Sequence, residues 1–204
     1  MESGGDLTHY TLPSGQKMPS VGFGCWKIPK DKTADQVYGA IKAGYRLIDE
    51  AACYGNEVQA GEGIKRAIDE GIVTREELFI TSKLWMTYHR PENVPLACER
   101  SLKDFGLEYF DLYLIHWPTP TKFIPFEERY PPGITFDPTA EKPIMIPDPV
   151  PLRSTWEAME KLVDAGKVKN IGVSNFKCET VRDLIAYARV KPANLQVELH
   201  PYLC

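Results

Sequence analysis

Four side chains of the kinds that move protons stand at or near the ends of successive apolar runs in this 204-residue chain. Leu47-Ile48-Asp49 ends in a carboxylate, and a phenol, Tyr54, follows five residues later. Lys83 closes the run Leu78 to Lys83, and His116 closes the run Tyr109 to His116. A carboxylate, a phenol, an ammonium and an imidazole at strand mouths make a general acid-base set. A free tyrosine, with a pKa of about 10, is a poor acid at neutral pH, and a neighbouring ammonium favours its phenolate. Lys83 beside Tyr54 would supply that charge.

Each residue also has a plainer reading. Lys83 and Asp49 alone read as a structural ion pair, His116 as a satisfied core histidine, and Tyr54 as half-buried packing. Trp26, Trp85 and Trp117 near strand ends read as core. A metal centre is the other chemistry on offer, if Asp49, Cys53, His116 and His200 converge. The chain has no HxH, HExxH or paired cysteines, so no metal is expected.

The elements that must position these groups follow from hydrophobic periodicity. His9 to Leu12 and Lys17 to Val21 flank Pro13-Ser14-Gly15-Gln16, a short hairpin. A helix is expected from about Thr33, with Val37, Ala40 and Ile41 on one face and Gly44 as its stop. Tyr45 to Asp49 reads as a strand. Asn56 then caps a helix carrying Val58, Ile64, Ala67 and Ile68, which stops at Gly71.

Thr74-Arg75-Glu76-Glu77 has capping-box spacing and precedes the strand Leu78 to Lys83. A third helix starts near Asn93, which puts Pro95 in its first turn, and presents Leu96, Ala97 and Leu102 before Gly106. After the strand ending at His116, residues 117–151 hold ten of the chain's seventeen prolines. So long an irregular segment directly after His116 reads as a lid. A helix with Trp156, Met159, Leu162 and Val163, a strand Val168 to Ser174, a helix with Val181, Leu184, Ile185 and Ala188, and a strand Asn194 to His200 complete the chain.

Strands alternating with helices require parallel pairing with helical crossovers, so the class is α/β. A doubly wound dinucleotide fold should show GxGxxG, whereas Gly22-Phe23-Gly24-Cys25-Trp26-Lys27 lacks the third glycine. A (β/α)8 barrel places its working residues at the C-terminal ends of several strands, where Asp49, Lys83, His116, Ser174 with Asn175, and Gln196 fall. The barrel is the expected architecture, as one domain over residues 1–204 with the N-terminal hairpin in 1–21 and the long loop at 117–151.

Composition narrows the functional classes. With 43% hydrophobic and 25% charged residues the chain reads as an ordinary globular one. A net charge of −4 without a Lys/Arg-rich block leaves no electrostatic footprint for nucleic acid. Met1 to Asp6 lacks a signal-peptide pattern, and no run of about eighteen apolar residues suggests a membrane span. The five scattered cysteines, Cys25, Cys53, Cys98, Cys178 and Cys204, read as reduced thiols in a cytoplasmic protein, with Cys53 the one nearest the chemistry.

In these residues the chain resembles the aldo-keto reductase superfamily, in its aldose reductase and fungal-type D-xylose reductase branch. The resemblance is carried by Met18 to Lys27, Ala40 to Asp49, Tyr54-Gly55-Asn56-Glu57, Lys65 to Gly71, Thr81 to Trp85, Ile171 to Phe176 and His200-Pro201-Tyr202-Leu203. It implies a catalytic tetrad of Asp49, Tyr54, Lys83 and His116, nicotinamide contacts from Ser174, Asn175 and Gln196, and a substrate pocket walled by Trp26, Trp85 and Trp117 with His116. It further implies reduction of an aldehyde or aldose to an alditol, with NADPH, or NADH, as the cofactor. Tyr130-Pro131-Pro132-Gly133 is similar to the xylose reductase version of the long loop.

Glu50 departs from that pattern, standing where a glycine usually follows the aspartate. An extra carboxylate there would raise the cost of ionising Tyr54 unless it points away from the barrel mouth. With Gly22-Phe23-Gly24 as the first, six strands within 204 residues fall short of the eight in about 250 that such a barrel takes. The expectation is therefore a C-terminally incomplete barrel, with a non-catalytic fragment that binds partners as the alternative reading.

Overall fold

The structure is a computed structural model of the chain and describes residues 8–133, 135, 137, 139–142 and 144–203. Met1 to Leu7, the loop positions Ile134, Phe136, Pro138 and Pro143, and Cys204 lie outside the described residues. Strands β1 (His9–Thr11) and β2 (Lys17–Pro19) pair antiparallel as the expected hairpin. Six further strands form one parallel sheet in chain order: β3 (Gly22–Gly24), β4 (Leu47–Asp49), β5 (Phe79–Leu84), β6 (Phe110–Ile115), β7 (Val168–Ser174) and β8 (Leu195–Gln196). Parallel neighbours joined in sequence order are the (β/α) progression of a barrel, here a six-stranded part of one. A doubly wound sheet would reverse its strand order, and this one does not.

The crossovers are α1 (Lys30–Lys42), α2 (Glu57–Asp69), α3 (Asn93–Phe105) and α4 (Leu152–Asp164), and α5 (Cys178–Tyr187) leads to the last strand. Alternation along each strand then makes two cores. One face of the sheet and the helices bury the larger cluster, among it Ile48, Ile80, Tyr113, Ile115, Ile171 and Trp156. The other face buries Leu47, Phe79, Leu112 and Leu114 with Leu12 of the hairpin. Gln16 of the hairpin donates to Asp111 at 2.7 Å and accepts from Asn170 at 2.6 Å, which fixes the hairpin across one end of the sheet. Helices α2 and α3 approach closely because position 61 is glycine: a Cβ there would stand 2.3 Å from the Phe105 carbonyl oxygen.

Several element boundaries differ from the periodicity reading. Helix α1 begins at Lys30, and Thr33 belongs to its first turn, its hydroxyl bonded to the Pro29 carbonyl at 2.9 Å. Asn56 is the N-cap of α2 but makes no side-chain cap. Its amide instead donates to the carbonyls of Cys25 and Ile28 and to Thr33 Oγ1, joining two loops. Val58, Leu96 and Ile185 are exposed. Val58 and Leu96 lie two residues from the buried Ala60 and Cys98, which on a helix is nearly the opposite side, and Ile185 is turned from Leu184.

The expected strand Asn194 to His200 shortens to Leu195–Gln196. It pairs with β7 alone, and beyond Gln196 the chain leaves the sheet for a turn closed by the His200–Leu203 bridge. Thr74 to Glu77 forms the expected capping box around a single 3-10 turn. The described residues of 117–151 are irregular and are tied down at defined points. Thr121 pairs with Pro147, Arg90 makes a two-pronged ion pair with Asp148, and the Trp85 indole donates to the Gly133 carbonyl at 2.9 Å.

Candidate active site

Register brings the proton-transfer residues to one face of the sheet. Asp49 is level with Thr81 on β5, and Lys83 is two residues further along that strand, hence on the same face. Lys83 is level with Leu114, and His116 is two residues beyond Leu114. Leu114 is in turn level with Gly172, and Ser174, two residues on, pairs with Gln196. The groups therefore ascend like steps around the end of the sheet. Tyr54 arrives differently: Ala52–Tyr54 is a 3-10 turn closed by Gly55 at φ 78°, a left-handed position that suits glycine.

Lys83 is the hub. Its buried ammonium donates to Asp49 Oδ2 at 2.6 Å, to the Glu50 carbonyl at 2.9 Å and to the Tyr54 hydroxyl oxygen at 3.0 Å. All three of its protons are used. Burial works against its charge, yet the Asp49 carboxylate and the Tyr54 phenol hold it above the ordinary lysine value. Gln196 Nε2 donates to the other Asp49 oxygen at 2.8 Å.

Burial pushes the Tyr54 phenol up to about 12, and the Lys83 charge offsets only part of that. Tyr54 is therefore neutral at physiological pH and retains its proton, the state a proton donor requires. His116 is pushed down to about 3, first by burial and then by the Lys83 charge, so its imidazole is neutral. Cys53 Sγ lies 3.6 Å from His116 Nδ1, and burial raises that thiol to about 12, which leaves it unionised and inert.

Asn175 sits at φ 61°, and its amide donates to the His116 carbonyl at 2.9 Å and to Ser174 Oγ at 3.1 Å. Its backbone N–H bonds the Gln196 carbonyl. Ser174, Asn175 and Gln196 are therefore together, at the same strand ends as the tetrad. Trp85 meets His116 edge-on with centroids 5.1 Å apart, and Trp26 lies 6.4 Å from the Tyr54 ring. Trp117 is 42% exposed and makes no ring contact with these groups among the described residues. His200 pairs with Glu198 in the terminal turn. Among the described residues no three His, Cys, Asp or Glu side chains are grouped to hold a metal.

Glu50 is fully buried, accepts from the Ala51 N–H at 2.9 Å and is pushed up to about 8 by burial. It is neutral at pH 7, so it adds no full negative charge beside Tyr54. Glu57 and Tyr130 escaped the sequence reading as site residues. Both belong to quoted motifs, but their contact spans 73 residues and no local spacing signals it.

The family model for the aldo/keto reductase family matches residues 19–203. The chain is 54% identical over 193 residues to the NADPH-dependent D-xylose reductase of Meyerozyma guilliermondii, covering 95% of this chain and 60% of that protein. It is 56% identical over 197 residues to the NAD(P)H-dependent D-xylose reductase of Pachysolen tannophilus, covering 97% and 60%. The aldose reductase structure from Schistosoma japonicum superposes with a TM-score of 0.86 at 42% identity, covering 94% of this chain and 61% of that one. The chain thus spans about three fifths of the length of the relatives it matches. No helix among the described residues is long and apolar enough to cross a membrane. With a parallel sheet that carries its polar groups at the strand ends and a sequence match from residue 19 to 203, the chain belongs to the aldo/keto reductase family.

Proposed function

We propose that this chain carries the catalytic half of an NADPH-dependent reductase, able also to take NADH, that converts aldehydes and xylose-like aldoses to alditols in the cytoplasm. The reading treats residues 1–204 as one reductase domain. The observation that carries it is the unbroken chain from Asp49 through the buried Lys83 to Tyr54, half-buried at its two ends and set at the strand ends. The names of the fungal relatives, xylose reductases using NADPH or NAD(P)H, support the substrate and cofactor classes.

Ser174, Asn175 and Gln196 fit the carboxamide of a nicotinamide, because a hydroxyl and two side-chain amides converge there and offer both donors and acceptors. When bound, the reduced nicotinamide supplies the hydride. The protein's part is the proton. Tyr54, neutral at physiological pH, donates it to the developing alkoxide, and Lys83 lowers the cost of the phenolate that remains. Asp49 and Gln196 keep Lys83 charged and in place. His116 is neutral, with Nδ1 facing Cys53, so Nε2 is the nitrogen that meets and orients a carbonyl oxygen. Trp26, Trp85 and Trp117 supply apolar walls for the substrate carbon chain.

The test is NADPH fluorescence quenching together with xylose-dependent NADPH oxidation. Saturable quenching and turnover are expected. Absence of quenching at submillimolar cofactor would favour the non-catalytic alternative for this chain.

A further inference from the structure

Glu57 is the one residue of Tyr54-Gly55-Asn56-Glu57 with a charge that the reductase reading leaves unused. It opens α2, three positions after the phenol, and is buried. Its carboxylate collects hydroxyls from three separate elements. Ser82 of β5 donates to Oε1 at 2.6 Å, Ser101 of α3 donates to Oε2 at 3.0 Å, and Tyr130 of the long loop donates to Oε2 at 3.2 Å. No cation bonds it among the described residues, so hydrogen bonds alone offset the cost of burying this carboxylate.

Tyr130 is seated between the Arg100 guanidinium, 3.9 Å from its ring centroid, and Phe126, edge-on at 5.4 Å. Pro131 lies against Gly55, next to Tyr54. Gly133 accepts from Trp85, whose ring faces His116. Four consecutive loop residues, 130–133, therefore run from Glu57 to the wall of the catalytic cluster.

We propose that Glu57 is a positioning residue that latches residues 130–133 of the long loop against the catalytic cluster through Tyr130 and, through Ser82, ties them to the strand holding Lys83. The effect on turnover rests on the reductase reading; the latch does not. Three hydroxyl donors are what an ionised carboxylate accepts. A protonated carboxyl must itself donate, so one hydroxyl has to turn or leave, and the longest of the three bonds is Tyr130's. Because the Tyr130 hydroxyl favours the ionised form, ionisation favours the docked loop by reciprocity.

Of the groups facing Glu57, Glu50, Cys53, Cys98, Tyr88 and Tyr113 are uncharged at pH 7, and Asp104 and Arg100 of α3 pair with each other. Burial pushes Glu57 up to about 7. The latch is accordingly fastened above neutral pH and loosens as pH falls through about 7. A cavity of about 170 Å³ lined by Glu57, Tyr130 and Pro131 gives protons a route.

The test is trypsin cleavage of the loop in the full chain, at Lys122 and Arg129, each rate divided by that of an unstructured peptide of the same sequence at the same pH. Tyr130→Phe keeps the ring and its stacking and removes only the hydroxyl. It should speed cleavage about tenfold at pH 8, the size of one hydrogen bond to a charged group. Wild type should be cleaved faster at pH 6 than at pH 8, and Tyr130→Phe should flatten that response. Glu57→Gln should match Tyr130→Phe, with little added by combining them; if it misfolds, Tyr130→Phe decides alone. Wild-type cleavage rates in Tyr130→Phe at pH 8, or an unchanged pH response in it, overturn the latch. In an active form of the enzyme, Tyr130→Phe should raise KM for the aldose more than it lowers kcat. A responsive loop without any turnover counts against the reductase reading and leaves the latch standing.

Discussion

Gln196 on the last strand donates its side-chain amide to Oδ1 of Asp49 at 2.8 Å, across 147 residues of sequence. Lys83 occupies the other oxygen of the same carboxylate. The residue that resemblance assigns to cofactor recognition thus also braces the counter-ion of Lys83. On the proposed reductase reading, cofactor contact and proton-donor geometry are linked through Asp49.

Replacing Gln196 with leucine should therefore weaken cofactor binding and lower kcat together. Leucine leaves Asp49 Oδ1 without its donor, a loss of about 1.5–3 kcal/mol for a hydrogen bond to a charged group. Steady-state kinetics paired with NADPH titration checks this. A variant impaired in binding alone would show that the brace has no catalytic consequence.

Tyr54→Phe removes the proton and keeps the ring. In a catalytically competent form it should lower kcat by about 10²–10⁴ and leave NADPH quenching close to wild type. Retention of most activity would reassign the donor.

Lys83→Met strips a partly buried carboxylate and a partly buried phenol of their shared, buried cation. Removing one partner of a buried pair typically costs about 3–5 kcal/mol. Asp49 keeps 20% of its side-chain surface, so the lower end of that range is expected in urea unfolding. Lys83→Met with Asp49→Asn should recover part of the loss, which a double-mutant cycle measures.

Stability should fall as pH rises from about 5 to 8. Glu50 and Glu57 have folded-state values raised to about 8 and about 7, above the 4.5 of an exposed glutamate. The native state therefore binds more protons than the unfolded chain in that window. The stabilisation is complete below about 4.5 and is lost as pH climbs through the folded values. Each group contributes a slope of at most about 1.4 kcal/mol per pH unit. Urea midpoints for wild type and Glu50→Gln between pH 5 and 8.5 test this: equal slopes in the two proteins would show that Glu50 does not titrate in the fold.

Asn175→Ala should cost more than Asn175→Gly. Both lose the amide bonds to His116 and Ser174, but alanine must also hold φ near 61°, worth about 1–2 kcal/mol. Thermal unfolding of the two variants separates the backbone contribution from that of the side chain. Equal melting temperatures would mean that the left-handed conformation relaxes.

Periodicity and end signals located the hairpin, the five helices and the strands before the last with small boundary errors, because amphipathic period and turn residues are local properties. The positions Asp49, Tyr54, Lys83 and His116 were also legible, since each follows an apolar run where a parallel strand must end. Val58, Leu96 and Ile185 were misplaced because apolar character does not fix a helix's rotation, which is set by the neighbour it packs against. The last strand was overread because β character needs a pairing partner, and Leu195–Gln196 has one only on the β7 side. Tertiary structure alone decided the ionisation states: burial outweighed the lysine at Tyr54 and neutralised Glu50, and desolvation is a property of everything packed around a group rather than of its sequence neighbours. It also decided that Ser82, Ser101 and Tyr130 meet on Glu57, a convergence of four elements that no spacing within the chain encodes.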